Sequence, residues 1–348
     1  MKIAIDSGPL TNEHSIRGVG FYTKNLISAL GKKVEAVDFR TADLTKYDIV
    51  HYPYFGIFIN TLPIFKPAKT VITIHDLIPL LYPKHYPPGL KGRWRLSEKK
   101  LLIKNVDAII TDTETSKKDI VRFLGVSPDK VHVVYLAPAK HFKKLDKRQT
   151  ASVKEKYNLP DKFVLYVGDI NFNKNIPNLI RACKIAKLPL VICGKQALDV
   201  EELGNDLTSL KGPRDWVRFL FGKPHPELAH YKEILKGFQE NKNIKRLGFV
   251  PDLDLVAVYN LATVYCQPSL YEGFGLPVLE ALACGIPVVA AKTQALVEIA
   301  EGAAVFVDPK DPKDIAKGFK NLIKNPKLPR NYSWDKVAKE TLQIYNSL

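Results

Sequence analysis

Short apolar runs alternate along this chain with amphipathic stretches of helical period, and that alternation restricts the fold more than any other feature. "KIAID" is followed by "GFYTKNLISAL" and "DAIITDT" by "ETSKKDIVRFLG", with "YDIVHYP", "KTVITIHD" and "KVHVVYL" in the same half. Strands that alternate with helices call for βα units and a parallel sheet. After the basic segment "APAKHFKKLDKRQTASVKEKYNLPD" a second series begins: "KFVLYVGDI", "NIPNLIRACKIAK", "LPLVICG", "IKRLGFV", "VYCQPS", "IPVVAA" and "AAVFVDP". The expectation is an α/β chain of two doubly wound, Rossmann-like domains, over residues 1–155 and 156–332. The amphipathic tail 333–348 forms a terminal helix that can pack on either domain, the N-terminal one first. A length of 348 residues suits two such domains. Doubly wound sheets bind ligands at the carboxyl ends of their strands, so a cleft between the domains is the expected ligand site.

Composition narrows the class further. No apolar run approaches the ~18 residues that would span a bilayer, and "MKIAIDSGPL" is too short in apolar residues for a signal peptide. The expected location is cytoplasmic, including the cytosolic face of a membrane. Cys183, Cys193, Cys266 and Cys284 fall inside apolar runs with no metal-ligand spacing, as buried thiols would. The net charge of +16 favours anionic partners. Residues 91–156 hold 17 Lys/Arg against 8 Asp/Glu, more than half of the excess. In that stretch "LKGRWRLSEKKLLIKN" interleaves Trp94, Leu96, Leu101, Leu102 and Ile103 with basic residues. Such a pattern suits a helix on an anionic membrane surface, and equally an ordinary helix with a basic outer face. Charge alone would also permit a nucleic-acid-binding protein, but no helix-turn-helix, zinc-finger or RNA-recognition motif is present.

The chemistry concentrates in "SLYEGFGLPVLEALACGIPVVAA", which reads as strand, loop and helix, with Pro277 at the first helical position, Gly285 just past the end and Pro287 as the stop. Glycines in the loop allow close backbone approach, and the helix N-terminus offers free N–H groups to a phosphate. Glu272 precedes that terminus and Glu280 lies inside the helix, so both carboxylates can face one ligand and accept hydroxyl hydrogens. Each has a plainer reading, Glu280 as an acid favoured early in a helix and Glu272 as a solvated loop residue. The whole string favours the ligand. Neither side chain is expected in the core. Gly18 and Gly20, with Arg17, open the first helix after a strand, where a glycine loop can approach a diphosphate. His75 ends the strand "KTVITIH", either facing the cleft or satisfied by the adjacent Asp76. Asp252 and Asp254 form a D-x-D that a divalent ion could use, but Asp252 reads better as a helix N-cap, so no metal is expected.

Taken together, "YEGFGLPVLEALACGIPVV", "RGVGFYTKNL", "TIHDLIPLLYPKHYP", "YVGDINFNKNIPNLIRA" and "RLGFVPDLDLVAVYNLA" resemble the retaining group-1 glycosyltransferases, with their E-x7-E signature and GT-B fold, and most closely the mannosyltransferase-like members. The resemblance implies an enzyme that moves a hexose, with mannose favoured, from a nucleotide-diphosphate sugar to a glycan or lipid-linked acceptor, without a metal cofactor. GDP-mannose is the favoured donor, and cell-surface polysaccharide or glycolipid synthesis the setting. It also implies that Glu272 contacts the donor sugar and Glu280 the ribose. The amides of Phe274, Gly275 and Leu276 would cradle the phosphates, Lys174 would offset the charge of the leaving diphosphate, and His75 would act in catalysis. One departure stands out: where members commonly carry an arginine near that lysine, this chain has Asp169 and Asn173, so Lys174 acts alone or with another base such as Arg17. An epimerase or phosphorylase of the same architecture is the alternative, since fold does not fix reaction. The phosphorylase reading lacks its cofactor-lysine motif.

Overall fold

A computed structural model describes residues 1–11, 18–59, 61–202 and 226–348 of the chain. They divide into two compact units. The first comprises Met1–Pro83, Pro87–Ala139 and Asn331–Leu348, and the second Lys84–Tyr86 and Lys140–Arg330.

The first unit runs through β1 (Ile3–Asp6), α1 (Gly18–Leu30), β2 (Glu35–Val37), β3 (Ile49–Tyr52), β4 (Lys69–Thr73), α2 (Ile78–Leu81), α3 (Gly89–Leu102), β5 (Ala108–Thr111), α4 (Glu114–Leu124) and β6 (Val131–Val133). Its six strands pair in parallel in the order β2-β1-β3-β4-β5-β6. β3 and β5 are buried at every position, as strands covered on both faces must be. α4 is bounded by its own sequence: the Thr113 side chain accepts from the Ser116 amide at the start, and Gly125 turns left-handed at the end. The terminal helix (Trp334–Ser347) belongs to this unit. It is capped by Ser333 and buries Trp334, Val337, Ala338, Thr341, Ile344 and Tyr345, one stripe of helical period. Trp334 packs edge-on against Phe21, and the Tyr345 hydroxyl lies 2.6 Å from His51 Nδ1.

The second unit contains α5 (Lys147–Lys156), β7 (Val164–Val167), α6 (Ile176–Ala186), β8 (Leu190–Cys193), α7 (Pro226–Glu240), β9 (Ile244–Gly248), α8 (Asp252–Leu261), β10 (Val264–Gln267), α9 (Leu276–Ala283), β11 (Val288–Ala291), α10 (Gln294–Ala300), β12 (Val305–Val307) and α11 (Pro312–Gly318). Its strands pair in parallel in the order β12-β11-β10-β7-β8-β9. Residues 140–155, which the sequence reading joins to the N-terminal domain, lie in this unit. The reason is local: Asp146 and Gln149 form a capping box at the start of α5, and Lys156 Nζ and Tyr157 Oη beyond it both donate to Asp254 of α8, at 2.7 and 2.8 Å. Asp254 is thereby committed to structure. Asp252 is the first residue of α8 rather than its cap, a place held by Pro251.

Each sheet reverses direction once: the chain moves outward from β1 to β2 and restarts on the other side of β1 with β3, and likewise leaves β7 for β8 and β9 before returning as β10 beside β7. The carboxyl ends of β1/β3 and β7/β10 are therefore the switch points at which such sheets bind ligands. All four cysteines are buried and free, and burial pushes the Cys193 and Cys284 thiols up to about 12, too high for reactivity. Among the described residues no helix is long and apolar enough to cross a membrane.

Candidate active site

The loops that leave β7 and β10 are laced together at the switch point of the second unit. After β7 the chain makes a short 3-10 turn over Phe172–Lys174, and Asn175 adopts a left-handed conformation (φ 59°) ahead of α6. The Asn175 amide group donates to the carbonyls of Pro268 (2.8 Å) and Pro309 (2.7 Å), which fastens this loop to those after β10 and β12. Asn173 accepts from the Leu270 amide through its carbonyl (2.7 Å) and donates through its side chain to the Tyr271 carbonyl. The residue that replaces an expected arginine thus serves as a tie between loops. The segment 84–86 joins the same unit: His85 stacks on Phe172, and the Tyr86 hydroxyl donates to Asn173 Oδ1 at 2.8 Å.

This lacing brings Lys174 and Glu272 together. Lys174 Nζ donates to both carboxylate oxygens of Glu272, each at 2.9 Å, and Glu272 is only 6% exposed. Glu272 Oε1 also accepts from Gln267 Nε2 (2.7 Å) and Ser269 Oγ (2.6 Å), and Gln267 is held in turn by the Tyr265 hydroxyl. A carboxylate so surrounded is fixed in direction and compensated in charge.

Helix α9 starts beyond Glu272. Gly275 precedes it with φ 109°, and a Cβ there would lie 2.5 Å from Leu296 Cδ2, so the entry to the helix requires glycine on two counts. Leu276 is the first helical residue and Pro277 the second, one place later than the sequence suggests; Gly285 follows the helix in a left-handed turn (φ 74°). The backbone from Phe274 to Leu276 forms the N-terminal turn that points N–H groups outward, a favourable seat for an anion. Phe274 itself is buried. Glu280 lies on the inner side of α9, 7% exposed, and accepts from the Tyr259 hydroxyl at 2.8 Å. Burial raises its pKa to about 7 against the pull of that hydrogen bond. Both glutamates are therefore core side chains, contrary to the expectation from sequence, because tyrosines and a glutamine on β10 and α8 close around them.

In the first unit His75 follows β4 and stands with Asp112, which follows β5. His75 Nδ1 lies 2.8 Å from Asp112 Oδ2 and Nε2 lies 3.3 Å from the Pro53 carbonyl, so both ring nitrogens face acceptors. Burial alone would pull the imidazole down, but the Asp112 charge and hydrogen bond outweigh it and hold His75 above its ordinary value. The adjacent Asp76 is not the ring's hydrogen-bond partner here; it accepts from the Ile78 amide. Tyr22 packs edge-on against His75, 4.7 Å between ring centres, and its hydroxyl meets Thr73 Oγ1, which also meets His51 Nε2. Asp112, Gln267 and Ser269 escaped the sequence reading, although each is a polar residue at or just past the carboxyl end of an apolar strand. Gly18 and Gly20 lie in the first turn of α1, and Arg17 lies outside the described residues. A cleft of about 930 Å³ opens at the carboxyl ends of β1–β3, lined by Asp6, Asp38, Tyr52, Tyr54, Ile64 and Phe65 among others.

Residues 147–338, over half of the chain, match the family of glycosyl transferases group 1, and residues 35–137 match glycosyltransferase family 4. The chain belongs to the group 1 glycosyl transferases. It is 26% identical over 301 residues to the O-antigen chain mannosyltransferase B of Escherichia coli, a match that covers 80% of this chain and 71% of that one. It is 30% identical over 264 residues to the serotype-specific mannosyltransferase WbdA of Escherichia coli, covering 74% of this chain but only 29% of WbdA. Among solved structures it resembles Anabaena HepE in complex with UDP and glucose, with TM-score 0.68 and 16% identity over all of both chains. It also resembles a sucrose-phosphate synthase of Thermosynechococcus elongatus, with TM-score 0.55 and 19% identity, over 92% of this chain and 77% of that one. The two six-stranded parallel sheets are those of a GT-B glycosyltransferase.

Proposed function

We propose that this group 1 glycosyltransferase moves a hexose, with mannose favoured, from a nucleotide-diphosphate sugar to a hydroxyl of a glycan or lipid-linked acceptor, with retention at the anomeric carbon. The observation that carries the reading is the Lys174–Glu272 pair at the β7/β10 switch point, directly ahead of the N-terminus of α9. A diphosphate seated on that terminus takes its positive charge from Lys174 and the helix amides, so the leaving group is stabilised without a metal. Glu272, released from part of its ion pair as Lys174 turns to phosphate, supports the cation-like sugar. Glu280 accepts from the ribose. The acceptor hydroxyl attacks on the face that the diphosphate leaves, and its proton passes to the departing phosphate oxygen, which balances the step without an enzyme nucleophile. His75 is braced by Asp112, and the cleft at β1–β3 of the same unit takes the acceptor. Relatives named for O-antigen chain mannosyl transfer favour mannose and polysaccharide synthesis, and the HepE complexes with UDP and UDP-glucose keep a uridine donor in view.

Thermal shift with GDP-, UDP-, ADP- and TDP-sugars identifies the donor, and NMR of the product reads the anomeric configuration. A raised melting temperature with GDP-mannose and an α-linked product support the proposal. No response to any nucleotide sugar, or inversion, overturns it. Activity that survives EDTA is expected; activity abolished by EDTA and restored by manganese refutes the metal-free reading.

A further inference from the structure

Lys84–Tyr86 joins the second unit, while Pro83 and Pro87 on either side of it belong to the first. Prolines at 83, 87 and 88 fix φ and stiffen the chain at both ends of this segment, which lowers the entropy lost when it docks. Its two aromatic side chains are both directed at the 3-10 turn Phe172–Lys174. The His85 ring stacks on Phe172 with 3.3 Å between centres and 7° between planes, and His230 of α7 meets the same ring edge-on at 5.7 Å. His230 is anchored in turn, with Nε2 2.8 Å from the Ile170 carbonyl. The Tyr86 hydroxyl accepts from the Asn173 backbone amide at 3.4 Å and donates to Asn173 Oδ1 at 2.8 Å. Asn173 is 3% exposed, and its Nδ2 donates to the Tyr271 carbonyl at 3.2 Å. The two ends of a side-chain amide are not interchangeable. Because Tyr86 presents its O–H to Oδ1, Nδ2 is left facing Tyr271; a flipped amide would set carbonyl against carbonyl there.

Asn173 immediately precedes Lys174, and Tyr271 immediately precedes Glu272, so this one side-chain bond joins the loops directly ahead of both partners of the ion pair. We propose that Tyr86, supported by His85, is a positioning residue for Lys174 and Glu272: it fixes the orientation of Asn173, and Asn173 fixes the spacing of the loops that follow β7 and β10. The inference rests on reading Lys174 as the cation of the diphosphate site. Lysine carries its charge on a flexible four-carbon stem, so the reach of Nζ depends on where its backbone is held. Without the Tyr86 hydroxyl, Oδ1 becomes a buried acceptor with no donor from this segment, and the amide no longer has a reason to keep Nδ2 toward Tyr271. The position at which an arginine is expected beside the lysine thus supplies order where an arginine would supply charge.

The test is calorimetry of the full chain with GDP, UDP, ADP and TDP and with the matching nucleoside monophosphates. Tyr86→Phe keeps the ring and removes only the hydroxyl, so the variant is expected to fold. It should bind the diphosphate that the wild type binds about tenfold more weakly, and the monophosphate less than about twofold more weakly. The difference arises because Lys174, paired with the glutamate that serves the sugar, acts on the outer, sugar-bearing phosphate. Asn173→Ala should act alike, and the double variant should bind no more than about twofold more weakly than either single one, since both remove the same link. His85→Ala should shift binding in the same direction. Diphosphate binding by Tyr86→Phe equal to that of the wild type overturns the proposal. So does an equal loss for monophosphate and diphosphate, additive losses in the double variant, or a lowered melting temperature with the preference for diphosphate unchanged. All of these leave the proposed function standing; a wild type that binds no nucleoside diphosphate removes that function and this inference with it.

Discussion

Glu272 and Glu280 are both buried, yet their surroundings differ. Glu272 has a lysine and two neutral donors on its oxygens, while Glu280 has one tyrosine hydroxyl and no cation beside it among the contacts of the described residues. Because folding raises the Glu280 pKa from 4.5 to about 7, its contribution to stability is fully present below pH 4.5 and is lost as pH rises through about 7. The wild type should lose on the order of 3 kcal/mol of stability across that window, and Glu280→Gln should lack this slope; melting curves from pH 4.5 to 8 decide. In steady-state kinetics Glu280→Gln should chiefly weaken donor binding, whereas Glu272→Gln should lower kcat by roughly 10²–10³, the scale of one preorganised charge contact. His75 behaves in the opposite way to its buried neighbour His51. Asp112 holds His75 up against the downward pull of burial, so its contribution is present below about 6.5 and fades as pH rises past its raised value. His51, driven to about 3 by burial, loses stability for the fold as pH falls from 6.5 toward 3. Asp112→Asn should move the His75 titration to lower pH in NMR; an unmoved titration would refute this coupling.

At the scale of elements, α9 shows how one backbone position fixes a site. Gly275 enters it in a left-handed conformation, and the space a side chain would need is already filled by Leu296 and Ile299 of α10. Gly275→Ala should cost about 1–3 kcal/mol, read from urea unfolding, and should weaken nucleotide binding as the turn shifts. α3 shows the converse, a helix whose amphipathic pattern is legible but whose inner face is not. Its sequence mixes basic and apolar residues at nearly every angle; Leu96 and Leu102 pack against the core of the first unit and Lys99 reaches the Leu62 carbonyl, which leaves Trp94 outward.

At the scale of the molecule, the terminal helix closes the first unit rather than the second, to which it is adjacent in sequence. The tie is a buried relay from the Tyr345 hydroxyl through His51 to Thr73 and Tyr22, beneath His75. Tyr345→Phe leaves a buried imidazole nitrogen without a partner and should destabilise this unit by about 1–3 kcal/mol in thermal unfolding. Residues 140–330 carry the whole second sheet with α5 clasped to α8 through Asp254.

The sequence by itself determined the two series of βα units, the strand–loop–helix that carries Glu272 and Glu280, and the burial of the cysteines, because apolar periodicity and turn chemistry act over a few residues. It also carried a motif string long enough to place the chain in its family. It did not determine that Asn173 and Asn175 lace two loops, that Asp112 rather than Asp76 pairs with His75, or that both glutamates lie inside the core. Those outcomes depend on which strand ends become neighbours, and parallel pairing joins residues from 37 (His75 and Asp112) to 134 (Asn175 and Pro309) positions apart without leaving any mark in the intervening sequence. The same holds for α5, whose partner Asp254 is distant in sequence, and for the outward turn of Trp94. Local pattern chose the elements, and the order of strands in the sheets decided which of their ends would meet.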